Sequence, residues 1–274
     1  MKLISFSGSD GHVRPGALLD DDAVLDLSSF YSDTMRVITA GLRSAPSGPV
    51  LPLESVRLHA PLANPPRVFA IGLNYRDHAK ESGMAVPTTP VVFFKLPTAI
   101  IGPGENIVLP KNSSEPDYEA EFAFVIGKGG YRIPASAWRD HVYGYTIIND
   151  VSDRDVQFAT SQWSMSKSFP TFCPLGPAIV TVDEVPDPHE LGIKLSIDGV
   201  ELQRSNTREL IFKIPELIEH LSSITPLLPG DIISTGTPYG VGLGRTPKRW
   251  LKPGESVTIT IDGLGSLNNP VVAE

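Results

Sequence analysis

The chain has 274 residues, of which 41% are hydrophobic and 20% are charged, and its formal net charge is −8. This is an ordinary composition for a globular protein, and the negative charge argues against nucleic acid or an anionic membrane as the main partner. The single cysteine, Cys173, excludes an internal disulfide and fits a reducing compartment. The first ten residues turn polar too early for a secretory signal, and no apolar run reaches the length of a membrane span. We therefore expect a cytoplasmic globular protein.

The first 65 residues have the pattern of a small β-rich domain that ends in a proline-rich linker. Short apolar runs alternate with turns, and a short helix is predicted from Thr34 to Ala40, before Gly41. No group of catalytic residue types occurs before residue 66. We therefore expect a structural or oligomeric role for residues 1–65 and a catalytic domain in residues 66–274. The 24 glycines and 26 prolines of the chain predict many turns throughout.

An acidic stretch from Asp117 to Ile126 is the main candidate for a functional element. Its alternation predicts a strand that places Asp117, Glu119 and Glu121 on one face. Carboxylates this close repel one another unless a cation lies between them, and their oxygens suit a hard divalent ion such as Mg²⁺ or Mn²⁺. From this stretch alone, a solvent-facing acidic strand is an equally good interpretation.

The run Val142–Ile148 is typical of a buried strand, and Asp150 follows it closely. A carboxylate at the end of an apolar strand is costly to bury unpaired, so Asp150 is either solvated or a ligand. The segment Ser152–Asp155 has a capping-box pattern that predicts the start of a helix. Arg154 and Gln157 then share one helical face and could hold a substrate carboxylate, with ordinary helix-surface polarity as the alternative.

Three further segments bear on the interpretation. His78 and Glu81 are three residues apart, so on a helical turn they could form a base in which the carboxylate orients the imidazole; an exposed helix with an incidental pair is the simpler alternative. Pro215 predicts the start of a helix whose apolar stripe, extending to Ile224, belongs to the core. The glycine-rich segment 234–244 predicts a loop that presents backbone amides and Thr237 to an anionic ligand.

In combination these motifs resemble the fumarylacetoacetate hydrolase family, in particular its acylpyruvate hydrolases and 2-hydroxyhepta-2,4-diene-1,7-dioate isomerases. The resemblance covers about residues 66–272 and rests on Ile71 to Tyr75, His78 with Glu81, Pro90 to Lys95, Gly102 to Gly104, Asp117 to Glu121, Asn149-Asp150 with Arg154 and Gln157, Lys167 to Phe169, Pro174 to Pro177, Ser234 to Gly242, and Gly263 to Pro270. It implies an α+β, β-rich fold: a mixed β-sheet roll with few helices, joined to a small N-terminal β-rich domain. It also implies a homodimer.

The resemblance assigns roles to individual residues. The implied ligands of one Mg²⁺ or Mn²⁺ per subunit are Glu119, Glu121 and Asp150. His78 and Glu81 match a water-activating pair, and Lys167 matches a lysine that stabilises developing negative charge. The residues implied in substrate binding are Lys95, Arg154, Gln157, Thr237 and Tyr239. Three residues depart from the family pattern: Asp153, Pro170 and Tyr239. These departures affect the expected substrate more than the expected reaction.

We therefore expect a metal-dependent hydrolase that cleaves a carbon–carbon bond in a small anionic β-diketo acid. The candidate substrates are acylpyruvates, fumarylpyruvate and 2,4-diketo-3-deoxy sugar acids, and the products would be pyruvate and a carboxylic acid. An oxaloacetate-type decarboxylase or an enol–keto isomerase could use the same metal site. A non-catalytic metal-binding protein is the remote alternative.

Overall fold

The computed structural model describes residues 1–20, 22–76, 81 and 85–274, with the backbone alone for Asp20. The strands are β1 (Lys2–Ser7), β2 (Val13–Asp20), β3 (Ala23–Asp26), β4 (Val50–Pro52), β5 (Arg57–His59), β6 (Val68–Gly72), β7 (Val91–Lys95), β8 (Ile100–Ile101), β9 (Ile107–Leu109), β10 (Pro116–Asp117), β11 (Ala120–Ile126), β12 (Val142–Asn149), β13 (Ser152–Asp153), β14 (Cys173–Thr181), β15 (Gly192–Ile197), β16 (Val200–Asn206), β17 (Ile232–Ser234), β18 (Ser256–Ile261) and β19 (Gly265–Ala273). The described part of the chain includes the α-helices α1 (Thr34–Ala40), α2 (Trp138–His141), α3 (Arg154–Ala159) and α4 (Ile214–Ile224). The fold is β-rich with few helices, as the sequence predicts. None of the described helices is both long and apolar enough to cross a bilayer.

Two mixed sheets organise the described part of the chain. The larger has the strand order β4-β3-β2-β1-β14-β12-β11-β17-β6-β7, with β5 on β1 and β8 on β14. Most of its pairs are antiparallel, but β17 runs parallel to β6, and β8 runs parallel to β14. The smaller sheet has the order β16-β15-β18-β19-β9. Strands β10 and β13 form a separate short ladder beside the larger sheet.

The two sheets share one apolar core. Strands β11 and β12 are buried along their whole length, and Phe122 and Ile147 belong to the same cluster as Leu195 and Ile259 of the smaller sheet. Helix α4 closes this cluster through Leu217 and its neighbours. Because β11 and β12 are central and fully buried, a charged group at their ends has little access to water.

The N-terminal strands extend the larger sheet. Strand β1 pairs with β14 through Lys2–Val180 and Leu3–Ile179, and β2 to β4 continue outward from β1. Helix α1 ends at Gly41, whose φ of 69° is in the left-handed region that favours glycine. The boundary between two domains near residue 65 stays a prediction.

The acidic stretch is less regular than the predicted continuous strand. It is divided into β10 and β11, with Tyr118 and Glu119 between them. The Tyr118 N–H donates to the Asp117 carboxylate at 2.8 Å, and the Glu119 N–H donates to the Asn149 side-chain oxygen at 3.1 Å. These side-chain acceptors replace ladder partners, which is why the strand is interrupted here.

Two helix predictions need correction. Helix α3 has Asp153 as its N-cap, not Ser152, and the Asp153 carboxylate accepts from the Val156 N–H at 3.2 Å. Ser152 instead pairs with Asp117 in the short β10–β13 ladder. In α4 the predicted stripe is buried except for Ile224, which is 68% exposed at the last helical residue.

Candidate active site

Three carboxylates meet where β11 begins and β12 ends. Ala120 pairs with Asn149 across these strands, and the Asp150 N–H donates to the Glu119 carbonyl oxygen at 2.9 Å. This register brings one carboxylate oxygen each of Glu119, Glu121 and Asp150 within 4.8 Å of one another. All three side chains are buried. The predicted metal ligands therefore form one compact acidic cluster.

Two buried lysines neutralise part of this cluster. The Lys167 ammonium donates to Glu119 Oε2 at 2.6 Å and to Asp150 Oδ2 at 2.8 Å. Lys95 donates to Asp150 Oδ1 at 2.6 Å and also to the Lys167 carbonyl oxygen. Burial alone lowers the pKa of Lys167, but the carboxylates of Asp150 and Glu119 outweigh it and raise that pKa above its ordinary value. Lys167 is therefore positively charged beside two of the three carboxylates.

Glu121 is the least compensated carboxylate of the cluster. Its Oε2 accepts from the Ser234 hydroxyl at 2.5 Å and from the Gly236 N–H at 3.0 Å, and the described residues offer it no lysine or arginine bond. Burial, followed by the nearby charges of Asp150 and Glu119, raises the pKa of Glu121 to about 8. The nearby charge of Lys167 opposes this rise, but no direct ion pair between Glu121 and a described lysine or arginine offsets it.

The donor set of the acidic cluster fits a divalent cation. The candidate ligand atoms are all carboxylate oxygens, which hard ions such as Mg²⁺ and Mn²⁺ prefer. A cation at this position would also add positive charge directly beside Glu121, which forms no ion pair with a described lysine or arginine. The cluster can therefore hold one divalent metal.

Arg154 links the acidic cluster to helix α3 and to the glycine-rich loop. Its guanidinium donates to Glu119 Oε1 at 2.6 Å, to Asp117 Oδ2 at 2.9 Å and to Gln157 Oε1 at 2.6 Å. Asp117 in turn accepts from the Gly242 N–H at 2.7 Å. Burial alone lowers the pKa of Arg154, but Glu119 and Asp117 outweigh it and raise that pKa. The arginine is therefore a fixed cation at the edge of the cluster.

A cavity of about 110 Å³ lies over the acidic cluster. Its lining consists of Ile71, Gly72, Leu73, Phe93, Glu119, Glu121, Arg154, Gln157, Phe158, Trp163, Lys167, Thr237 and Leu243. Pockets for drug-sized ligands usually measure about 300–1,000 Å³. The cavity therefore suits a small molecule, and both charged and aromatic side chains form its wall.

The structure separates the predicted substrate-binding residues into two groups. Arg154, Gln157 and Thr237 line the cavity, and the Thr237 hydroxyl accepts from the Gln203 amide at 2.9 Å. Lys95 is not part of the lining formed by the described residues, because its ammonium is bonded to Asp150 below it. Tyr239 also lies outside that lining, and its side chain is 46% exposed. The roles of all five residues stay predictions.

The predicted water-activating pair is only partly described. His78 lies outside the described residues, so its distance to Glu81 is not defined. The Glu81 carboxylate accepts from the Gly240 N–H at 3.0 and 3.1 Å, and it lies against Gly244. Glu81 therefore contacts the same glycine-rich loop that Asp117 contacts from the other direction.

Sequence reasoning missed the aromatic part of the cavity. Phe158 and Trp163 are five residues apart, but Phe93 lies on β7, and no local pattern connects it with the other two. It also left Asp117 without a partner, although its position on the acidic stretch indicated a role near Glu119. The contact of Asp117 with Gly242 spans 125 residues of sequence and has no local signal.

Comparisons with known proteins agree on one family. A model of the fumarylacetoacetate hydrolase C-terminal domain matches residues 67–272. A mitochondrial oxaloacetate tautomerase of Xenopus laevis is 41% identical over 288 residues, covering 99% of this chain and 90% of that protein. The structure of fumarylacetoacetate hydrolase from Exiguobacterium antarcticum is 34% identical with a TM-score of 0.90, and each chain is covered completely. The structure of 2-hydroxyhepta-2,4-diene-1,7-dioate isomerase from Mycobacterium marinum is 35% identical with a TM-score of 0.85, and the match covers 100% of this chain and 99% of that one.

These similarities confirm the expected fold class, a mixed β-sheet roll with few helices. The members named above are enzymes: a tautomerase, a hydrolase and an isomerase. The chain belongs to the fumarylacetoacetate hydrolase family.

Proposed function

We propose that this protein is a divalent-metal-dependent enzyme that interconverts the enol and keto forms of a small 2-oxo diacid such as oxaloacetate. The observation that carries the proposal is the buried cluster of Glu119, Glu121 and Asp150, with its carboxylate oxygens within 4.8 Å of one another, beneath a small cavity. The Xenopus relative is named an oxaloacetate tautomerase, and the Mycobacterium marinum structure is named an isomerase. Both names support a reaction in which a proton is transferred within one small acid.

The charged side chains suit an enol–keto reaction. A divalent cation, when bound, would supply Lewis-acid chemistry that polarises the 2-oxo group of the substrate. Tautomerisation moves a proton between carbon 3 and the 2-oxo oxygen, so negative charge develops on that oxygen. The Lys167 ammonium lines the cavity beside Glu119 and Asp150 and stabilises this charge.

The substrate carboxylates need donors at the cavity wall. Arg154 bonds the oxygen of the Gln157 amide, which leaves the amide nitrogen of Gln157 as the donor of that side chain. Thr237 contributes a hydroxyl on the wall formed by the glycine-rich loop. In this proposal Arg154 and Gln157 orient one carboxylate, and the small volume of the cavity excludes long-chain acids.

The test is a tautomerase assay with a matched pair of variants. Enol oxaloacetate is mixed with protein and Mg²⁺ or Mn²⁺, and the loss of enol ultraviolet absorbance is followed. We expect catalysis that stops on chelation and falls at least about 100-fold in Glu121→Gln, because the cation loses a ligand. Glu54→Gln, at an exposed position that does not line the cavity, is the control and should match the wild type. Equal rates in both variants would exclude the metal-dependent reaction.

Hydrolysis of a β-diketo acid is the second candidate. It is favoured by the position of Glu81, whose carboxylate is held against Gly240 of the glycine-rich loop, and by the similarity to the Exiguobacterium hydrolase structure. In this reaction His78, oriented by Glu81, takes a proton from a water that adds to the distal carbonyl. The carbon–carbon bond then breaks, and the products are pyruvate and a carboxylic acid.

Product analysis separates the candidate reactions. Acetylpyruvate that yields acetate and pyruvate indicates hydrolysis, and oxaloacetate that yields CO₂ and pyruvate indicates decarboxylation. For hydrolysis, His78→Ala should abolish turnover while binding of Mn²⁺ is retained. Cation binding without turnover of either acid would support the remote alternative, a non-catalytic metal-binding protein.

We also propose the assembly and the setting in which the enzyme works: a cytoplasmic homodimer with one Mg²⁺ or Mn²⁺ per subunit, acting on a small anionic acid without nucleic-acid or membrane partners. The net charge of −8 supports the absence of anionic macromolecular partners. Light scattering coupled to size-exclusion chromatography tests the dimer, and metal analysis of the dialysed protein tests the stoichiometry.

A further inference from the structure

A polar segment of the chain, residues 163–168, is fastened to the edge strand β7. The Phe94 N–H donates to the Ser164 hydroxyl oxygen at 3.2 Å, and the Leu96 N–H donates to the Ser168 hydroxyl oxygen at 3.1 Å. Between them, the Lys95 ammonium donates to the Lys167 carbonyl oxygen. The two serines occupy edge donors that a neighbouring strand would otherwise use. The segment therefore has a fixed position relative to the cavity.

This segment carries Trp163 into the aromatic wall of the cavity. The Trp163 ring meets the Phe93 ring edge-on, with a centroid distance of 5.7 Å and an interplanar angle of 69°. The Lys167 ammonium lies 5.3 Å from the centroid of the same Phe93 ring. Phe93 thus lies between Trp163 and the charged side of the cavity, and all three residues line it.

Trp163 also rests directly on Gly72, the last residue of β6. A Cβ atom built on Gly72 would lie 2.4 Å from Cζ3 of the Trp163 ring, which is far inside van der Waals contact. The glycine therefore makes room for the indole. Trp163 is half-buried, and its side chain forms part of the cavity wall. Trp163 is not part of the main apolar cluster, so its indole bounds the cavity and is not a core side chain.

We propose that Trp163 is the specificity-determining residue of this site and that, seated on Gly72, it restricts the enzyme to short-chain 2-oxo acids. This inference rests on the proposed function, because it concerns the substrate of that site. The chemical class is a 2-oxo acid whose non-reacting end carries nothing larger than a carboxylate or a methyl group. Longer or aromatic substituents collide with the indole.

Binding of two non-reacting analogues tests the inference without turnover. Oxalate mimics a short 2-oxo acid, and oxanilate (N-phenyloxamate) carries the same pair of carbonyl groups with a phenyl substituent. Calorimetric titrations in Mn²⁺ compare the wild type with Trp163→Ala and Trp163→Phe, and the exposed aromatic variant Tyr131→Ala is the control. We expect the affinity ratio of oxanilate to oxalate to rise at least about 10-fold in Trp163→Ala and less in Trp163→Phe. An unchanged ratio in Trp163→Ala overturns the inference, and so does undetectable oxalate binding by the wild type.

A second variant pair tests the contact with Gly72. In Gly72→Ala the new methyl group pushes the indole into the cavity, so oxalate binding should weaken about 10-fold. In the double variant Gly72→Ala, Trp163→Ala the clash is absent, and oxalate binding should recover. If both Gly72→Ala proteins bind oxalate equally weakly, the indole is not the obstacle and the inference fails.

Turnover distinguishes failure of this inference from failure of the proposed function. Enol oxaloacetate and enol phenylpyruvate are compared for the wild type and Trp163→Ala. If oxaloacetate is turned over with metal, but Trp163→Ala changes neither the ratio of the two rates nor the binding ratio, the inference is overturned. The proposed function then stands. A shifted binding ratio without turnover of either acid supports the inference and contradicts the tautomerase.

Discussion

The N-terminal strands β1–β3 and the central strands β11 and β12 lie in one sheet, but they accommodate charged side chains in opposite ways. Beside β1 to β3 an ion pair lies at the surface: Arg14 contacts Asp10 at 2.6 Å, with side chains 26% and 47% exposed. Beside β11 and β12 the charged groups are buried, and Glu119 and Asp150 are bonded to Lys167 in a region with little access to water.

The difference matters energetically. Surface ion pairs are typically worth about 0–1 kcal/mol, because water and salt screen them. Removing a charged group from water costs several kcal/mol, and a buried pair recovers that cost only with complete hydrogen bonding. Glu121 makes no direct ion pair with a described lysine or arginine, and burial raises its pKa to about 8 despite the nearby charge of Lys167. A cluster that includes such a residue is better explained by cation binding than by a contribution to stability.

The largest expected effect follows from removing the lysine of the buried cluster. Lys167→Met leaves Glu119 and Asp150 without a shared partner, so the metal-free protein should lose about 3–5 kcal/mol of unfolding free energy. Urea denaturation in the presence of a chelator measures this loss. Lys252→Met, at an exposed position, is the control and should change stability by less than about 0.5 kcal/mol. Equal losses in the two variants would mean that the burial of a lysine does not determine how much it contributes to stability.

A smaller effect of opposite sign is expected at Glu121. The pKa of Glu121 is about 8 in the folded protein and 4.5 in an ordinary setting, so between these values the folded state holds a proton that the unfolded state releases. The stability of the metal-free protein should therefore fall as pH rises through this window. The glutamine in Glu121→Gln does not titrate. At pH 8.5 the melting temperature of this variant should exceed that of the wild type by about 2–4 °C for each kcal/mol of unfolding free energy that the wild type loses when Glu121 ionises.

Melting curves recorded in chelator from pH 5.5 to 9 test this prediction. The difference between Glu121→Gln and the wild type should be smallest at the acidic end, where both side chains are neutral. Glu54→Gln should show no such trend. A Glu121→Gln protein that melts below the wild type at pH 8.5 would contradict the uncompensated burial of this carboxylate.

Much of the fold was predictable from local patterns. The spacing of glycine and proline and the short apolar runs indicated a β-rich chain, and the pattern around Thr34 and Gly41 predicted α1 with its correct ends. Local patterns fail where a side chain competes with the backbone ladder, as at Tyr118 and Glu119. They also fail at Ile224, because a helix can leave the core before its apolar periodicity ends.

The candidate site was predictable in part. The alternation of Glu119 and Glu121 and the position of Asp150 after an apolar run indicated ligands, and the resemblance to a family combined them into one site. The aromatic wall was not predictable, because the contact of Trp163 with Gly72 depends on how two segments 91 residues apart pack together. Aromatic residues are common in any protein core, so their presence in the sequence does not indicate a role in substrate choice.

The smallest expected effect tests the other region of the comparison. Arg57 lies on β5, which pairs with β1; it contacts Glu105 at 3.0 Å, and its side chain is 67% exposed. Arg57→Ala should therefore lower the free energy of unfolding by less than about 1 kcal/mol, and the difference should shrink further in high salt. Glu105 keeps its hydrogen bond from the Gly102 N–H at 2.7 Å, so the loop around it has no reason to rearrange. Urea denaturation at low and high salt measures both quantities. A loss comparable to that of Lys167→Met would show that the N-terminal strands depend on their ion pairs as strongly as the cluster does, and the contrast between the two regions would not hold.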